Sequence, residues 1–230
     1  MKFSAPRLLL IACCRSAMPA VVPMGATLLF AVGCNYLLPA SYIIEGPPKA
    51  PAAFELPAKR TAVIVDDKLN RMSRVSLRVV IGDAVGTGLL ENDVVPEAIS
   101  TRDSVAYIRQ MDSAAKPVSI QRVCESLGAE QVIYVEIDEF QLSGGRDEGG
   151  PEAVALIKVI DVSNVARLWP TAGSEAVQSS LQDINPSLIT TSAGRREVED
   201  KLAAQLGDDI AKLFYAHARR ELGGRLGVKK

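Results

Sequence analysis

From Thr61 onward the apolar and polar positions follow two periods, and the chain reads as short strands interleaved with helices. Thr61-Ala62-Val63-Ile64-Val65 is an apolar, β-branched run stopped by Asp66-Asp67, the pattern of a buried strand. Residues 73–91 place Val75, Val79, Ile81, Val85, Leu89 and Leu90 near helical spacing. Gly82, Gly86 and Gly88 weaken that helix locally but leave room for close packing. Residues 93–100 predict a second strand, which Pro96 places near an edge. Short helices follow at 103–111 and 119–127, the second with Ser119 as N-cap and Gly128 as its stop. Residues 131–142 set Val132, Tyr134, Glu136 and Asp138 against Ile133, Val135 and Ile137, a strand with one solvated face. Residues 153–161 predict another strand, 162–167 turn into Leu168-Trp169, and 175–181 form a last strand. Val198, Leu202, Leu206, Ile210, Leu213 and Phe214 make one stripe of a carboxy-terminal helix that ends near Gly223-Gly224. The order predicts an α/β (α+β) domain: a single small mixed, meandering sheet packed by helices on one face.

Before Thr61 the pattern is different. Lys2, Arg7 and Arg15 lead into the apolar run 24–32, and Gly33 precedes Cys34. Ala31-Val32-Gly33-Cys34 resembles a bacterial lipoprotein lipobox. The resemblance implies a signal peptide over 1–33, a diacylglyceryl thioether on Cys34 and cleavage just before it. Two competing readings remain. Leu10-Ile11-Ala12-Cys13 has similar letters, but its apolar run, 8–12, is short of the roughly 7–15 residues of such a core. An uncut anchor over 21–32 is short of the ~20 residues of a bilayer span, and Pro19 and Pro23 interrupt it. Residues 34–60 carry Pro39, Pro47, Pro48, Pro51 and Pro57 and predict an unstructured, extended tether at ~3 Å per residue. The globular domain is then expected over 61–222, with a disordered tail at 223–230.

Composition narrows the function classes. The 230 residues have a formal net charge of −1, and removing the leader with its three basic and no acidic residues leaves −4. No clustered basic face marks a nucleic-acid surface, so nucleic acid is not an expected partner. Cys124 is the one cysteine beyond the leader and Cys34, so no disulfide can form inside the domain, and its register suits a small buried hydrophobe. The single histidine, His217, falls late in the last helix among Arg219, Arg220 and Glu221, the setting of a surface residue. No nucleophile elbow, phosphate loop or zinc helix is present. Glu136, Asp138, Glu139, Asp147 and Glu148 lack calcium-loop spacing and read as a solvated strand face and loop. Asp66-Asp67 suits a strand end with a capping role, and Trp169 before Pro170 a core or rim anchor. Catalytic residues, a metal and a cofactor are therefore not expected.

Gly128-Ala129-Glu130-Gln131-Val132-Ile133-Tyr134-Val135-Glu136-Ile137 is similar to a segment shared by the curli-secretion-channel, penicillin-binding-protein-activator and TolB amino-terminal-domain families. Residues 156–161 and Leu168-Trp169 resemble their next strand and turn, and element order extends the resemblance over roughly 61–221. It implies an anticodon-binding-like α/β fold in an envelope protein. Channel function does not carry over, because no segment has the alternating apolar length of a spanning hairpin and 143–151 is short and polar. The activators' partner-binding residues have no counterpart that can be matched here. Together these readings predict a non-enzymatic lipoprotein held to a membrane by its lipid and facing the periplasm. It is expected to bind an envelope protein or its own copies. Asn35, in place of an aspartate after the cysteine, favours the outer membrane over the inner. The alternative is an extracytoplasmic small-ligand-binding domain, since open α/β sheets hold ligands at strand ends.

Overall fold

A computed structural model describes residues 49–111, 118–142, 150–182 and 184–218. Cys13, Cys34, the leader, the first part of the expected tether, Asp147, Glu148 and the expected tail lie outside the described residues. In chain order the elements are β1 (Lys49–Ala50), β2 (Thr61–Asp66), α1 (Ser76–Glu91), β3 (Ala98–Ile99), α2 (Thr101–Met111), α3 (Ile120–Leu127) and β4 (Gln131–Gln141). There follow β5 (Glu152–Asp161), β6 (Arg167–Trp169), β7 (Glu175–Ser180), α4 (Pro186–Thr190), α5 (Ser192–Ala211), a 3-10 turn (Lys212–Phe214) and β8 (His217–Ala218).

The main sheet is mixed, in the order β3-β2-β4-β5-β6, with β7 pairing β5 as well. β2 runs parallel to β3 and β4, and β4 to β7 continue antiparallel. Ser119 Oγ accepts from Arg122 N at 3.3 Å, and Gly128 closes α3 at φ 69°, so both expected ends of that helix are present. The strand expected at 93–100 shrinks to Ala98–Ile99 at the sheet edge.

Helices cover both faces of the sheet, not one. On the first face α1 and α5 set Leu77, Ile81, Leu89, Leu202, Leu206 and Ile210 against Val63, Val65, Ile133, Val135, Ile157 and Val159. On the second, α2 and α3 set Tyr107, Ile108, Val123 and Cys124 against Ala62, Ile64, Val132 and Tyr134. The reason lies in β2: Thr61 to Val65 are all buried, so apolar side chains leave the strand on both sides and each side needs a cover. Val132 and Tyr134, expected on a solvated face, are consequently buried.

Two glycines mark where α1 is approached by other elements. A Cβ on Gly82 would stand 2.2 Å from Thr101 Oγ1, and one on Gly207 of α5 would stand 2.6 Å from the Ile81 carbonyl oxygen. Glycine is the residue that lets backbone come this close.

The last helix stops at Ala211 and not near Gly223. The 3-10 turn keeps Leu213 and Phe214 in the phase of the apolar stripe, which is why the sequence reads on as one helix. His217 is therefore a strand residue in β8, paired with Ala50, rather than a helical one.

Residues 49–60 also depart from the extended tether expected over 34–60. β1 pairs with β8, and Ala53 N and Phe54 N both donate to Leu213 O, at 2.7 and 3.1 Å. Phe54 stacks on Trp169 with ring centroids 5.8 Å apart, Trp169 meets Phe214 edge-on, and Leu56 enters the core. Residues 49–60 thus belong to the fold, which does not wait for Thr61. Pro51 and Pro57 forbid a helix there but do not forbid a strap that docks in extended form.

Candidate functional site

The second face of the sheet is covered only in part. α2 and α3 shelter β2 and the start of β4, and beyond Tyr134 no helix among the described residues packs on the face. Register places its residues in rows: Glu136, Leu156 and Ala176 in one, Glu139, Val154 and Gln178 in the next, then Gln141, Glu152 and Ser180. Val154 and Leu156 are half-exposed and belong to neither core cluster, while Ala176 and Gln178 are exposed. The result is a short apolar stripe with Glu136, Glu139 and Glu152 along it and Lys158 at one end. β7 borders the face and has no strand partner on its far side among the described residues.

A register shift between Ile137 and Glu139 decides which acids face this surface. Simple alternation puts Asp138 beside Glu136. The bulge leaves Asp138 unpaired and exposed and brings Glu139 opposite Val154 instead. It also returns Phe140 to the core face, opposite Ala153.

Where the face meets the helices, polar groups lock together. Tyr134 Oη donates to Asp66 Oδ2 at 2.5 Å, Lys68 Nζ lies 3.0 Å from Glu136 Oε2, and the same ammonium sits 5.5 Å from the Tyr134 ring centroid. Burial, with the Asp66 carboxylate second, pushes the Tyr134 hydroxyl up to about 12, so it stays a donor. The Glu136 carboxylate raises Lys68, with Tyr134 contributing.

The other residues singled out in the sequence are scattered. Asp67 accepts from Arg71 N and Met72 N at 2.7 and 2.9 Å, closing the loop that follows β2 rather than capping a helix, since α1 starts only at Ser76. Trp169 is held between Phe54 and Phe214, as an anchor of the strap. Cys124 is buried, and burial pushes its thiol up to about 11, which disfavours the reactive thiolate. His217 Nδ1 lies 3.2 Å from Tyr215 O, beside a hollow of about 250 Å³ shared with Asp209 and Lys212. The Asp209 carboxylate is already engaged by Lys212, Ser179 and Gln205, and none of these residues is a nucleophile poised on the imidazole. Among the described residues no group of three or more His, Cys, Asp or Glu is placed to hold a metal ion, and no helix is long and apolar enough to cross a membrane. The open face itself carried a sequence signal: in Ala153-Val154-Ala155-Leu156-Ile157 both parities are apolar, so one set must lie on the side away from α1 and α5.

Ion pairs fasten the strap's end to the sheet. Arg60 binds Glu97 through Nε and Nη2, both at 2.8 Å, and Lys59 Nζ donates to Asp161 Oδ2 at 2.6 Å. The bond from Lys59, with those from Ser163 next, holds the Asp161 carboxyl down to about 2 from 3.8. A carboxyl lowered on folding adds stability above its unfolded pKa and loses it as pH falls through its folded value. Melting temperature should therefore drop between pH 4 and pH 2, and Asp161→Asn should flatten that part of the acid limb. Parallel curves for the two proteins over that interval would show that the pair does not act there.

No family model matches the sequence, and no curated protein does. Solved structures similar to the chain include the PelC dodecamer from Paraburkholderia phytofirmans, at 11% identity over 73% of this chain and 97% of that one, TM-score 0.40. The lipoprotein GNA1162 from Neisseria meningitidis is 20% identical over 64% of this chain and 99% of that one, TM-score 0.38. TolB from Acinetobacter baumannii is 14% identical over 66% of this chain and 30% of that one, TM-score 0.31. The similar structures fall in the envelope-lipoprotein fold group that residues 128–137 resemble.

Proposed function

We propose that the chain is a non-enzymatic, lipid-anchored module of the cell envelope that binds a protein through the open face of β4, β5 and β7. The observation that carries the proposal is the stripe of half-buried Val154 and Leu156 and exposed Ala176, which lies between acidic neighbours and belongs to neither core cluster. A surface with an apolar centre and a charged rim suits a protein, and here the complement is an apolar strip flanked by Lys or Arg. The anchor is proposed at Cys34, facing the periplasm and on the outer membrane.

Site-specific photocrosslinking in intact envelopes tests the reading. A crosslinker at Gln178 should give a discrete adduct that Leu156→Arg abolishes, while one at exposed Glu197 on α5 should not. Adducts that form equally from both positions, or that survive Leu156→Arg, would argue against the open face.

A further inference from the structure

A cleft on the other side of the molecule has a different chemistry. It encloses about 450 Å³ between the start of α1 and the α4–α5 elbow, and its walls carry Arg74, Arg195, Arg196, Ser73, Thr190 and Ser192. The elbow is tight: a Cβ on Gly194 would stand 2.2 Å from Leu188 O, and Thr191 Oγ1 caps α5 by accepting from Gly194 N at 3.1 Å. That geometry sets Thr190 and Ser192 on one wall with Arg195 and Arg196 one turn away.

The three guanidiniums are differently engaged. Arg74 is held by the buried Glu199, Nε to Oε2 at 3.0 Å, and by Asp200, Nη2 to Oδ1 at 2.9 Å, while Ser73 Oγ occupies the other Glu199 oxygen at 2.7 Å. The one acidic residue of the cleft is thus already satisfied, and Arg74 Nη1 remains unbonded among the described residues. Among the described residues the Arg195 side chain bonds the Ile189 carbonyl alone, with two bonds of 3.4 Å. The Arg196 side chain makes no hydrogen bond or ion pair with the described residues, and neither does the Ser192 hydroxyl. Each guanidinium offers five N–H donors, so donors in the cleft far exceed the acceptors present. Arg195 closes the first turn of α5, which carries no acid, and so runs against the helix dipole.

The geometry points to an anion-binding cleft for a phosphate group, with Arg195 and Arg196 as its unpaired cations and Arg74 as a third, positioned by Glu199. Phosphate is favoured over carboxylate because its larger set of acceptor oxygens matches a donor set converging from two walls, and guanidinium forks bind it in bidentate fashion. The phosphate can come from a soluble ligand or from an anionic lipid headgroup. The two sources share the same recognition chemistry.

Full-length protein titrated with inorganic phosphate at constant ionic strength separates these cases. Saturable stabilisation that Arg196→Gln weakens at least tenfold, beyond any effect of chloride, supports the cleft as a site for soluble phosphate. Full-length Cys34→Ser protein, which carries no lipid of its own on the proposed anchor, is then mixed with phosphatidylglycerol or phosphatidylcholine vesicles. Binding to the first alone that Arg196→Gln weakens at least tenfold supports the headgroup source. Retained circular dichroism in Arg196→Gln guards against misfolding, and Arg196→Lys should recover part of the binding. Phosphate and vesicle responses that are absent, or unchanged by Arg196→Gln, overturn the proposal.

Discussion

Cys34→Ser protein is expected to lack the lipid and to keep residues 1–33, so its intact mass should rise to that of the uncut, unacylated chain while the unaltered protein loses the leader and gains acyl chains. The lipobox resemblance implies a thioether, which the cysteine sulfur forms and a serine hydroxyl does not. The physical size of the effect comes from the acyl chains. Each buried methylene is worth ~0.8 kcal/mol, so one chain binds reversibly and two hold a protein stably at a bilayer. Removing the attachment atom removes all of that at once. Cys13→Ser should leave both mass and membrane recovery unchanged. If Cys13→Ser changes the processed mass and Cys34→Ser does not, processing takes place at the first tetrad. If the unaltered protein itself carries residues 1–33 and no acyl mass, the leader is an uncut anchor and the proposed lipid on Cys34 is wrong.

Gly207→Val is expected to produce the largest loss of stability among single changes on the α1–α5 interface. A Cβ at this position would lie 2.5 Å from Ala84 Cβ and 2.6 Å from the Ile81 carbonyl oxygen. The obstacle on one side is backbone, so relief requires α1 and α5 to separate along the length that buries Leu77, Ile81, Val85, Leu202 and Leu206. Overpacking of this kind costs ~1–3 kcal/mol, occasionally more. The upper end, ~3 kcal/mol, would lower the melting temperature by roughly 6–12 °C in a domain of this size. Gly207→Ala is the sharper comparison because two effects oppose each other there. Helix propensity favours alanine by ~1 kcal/mol, and the collision opposes it. A melting curve in which Gly207→Ala is more stable than the unaltered protein would show that the helices are not in contact at this point.

The strands and helices with a strong period were legible in the sequence: β2, β4, β5, α3 with both its caps, and most of α5. Two misreadings have one physical source, since a period reports which side of an element is apolar but not what covers it. The alternation of Val132, Tyr134 and Glu136 looked like a solvated face. In the fold its first two residues lie under α2 and α3 and only the third approaches the surface. The strap was missed because Phe54, Leu56, Pro51 and Pro57 have no period at all. They are anchored by partners far along the chain, Trp169, Leu213 and Gln131.

The candidate sites divide along the same line. Cys34 is a statement of local sequence, since a lipobox is recognised in an extended segment by its own letters. The open face needs the pairing of three strands and a bulge that exchanges Asp138 for Glu139, and the arginine cleft joins residues more than a hundred positions apart. By itself, then, the sequence determined the element types and the proposed point of membrane attachment, because both depend on neighbouring residues. Only the tertiary structure decided which face of β4 and β5 lies under helices, that residues 49–60 join the fold and which cations meet, because these depend on contacts that close across the chain.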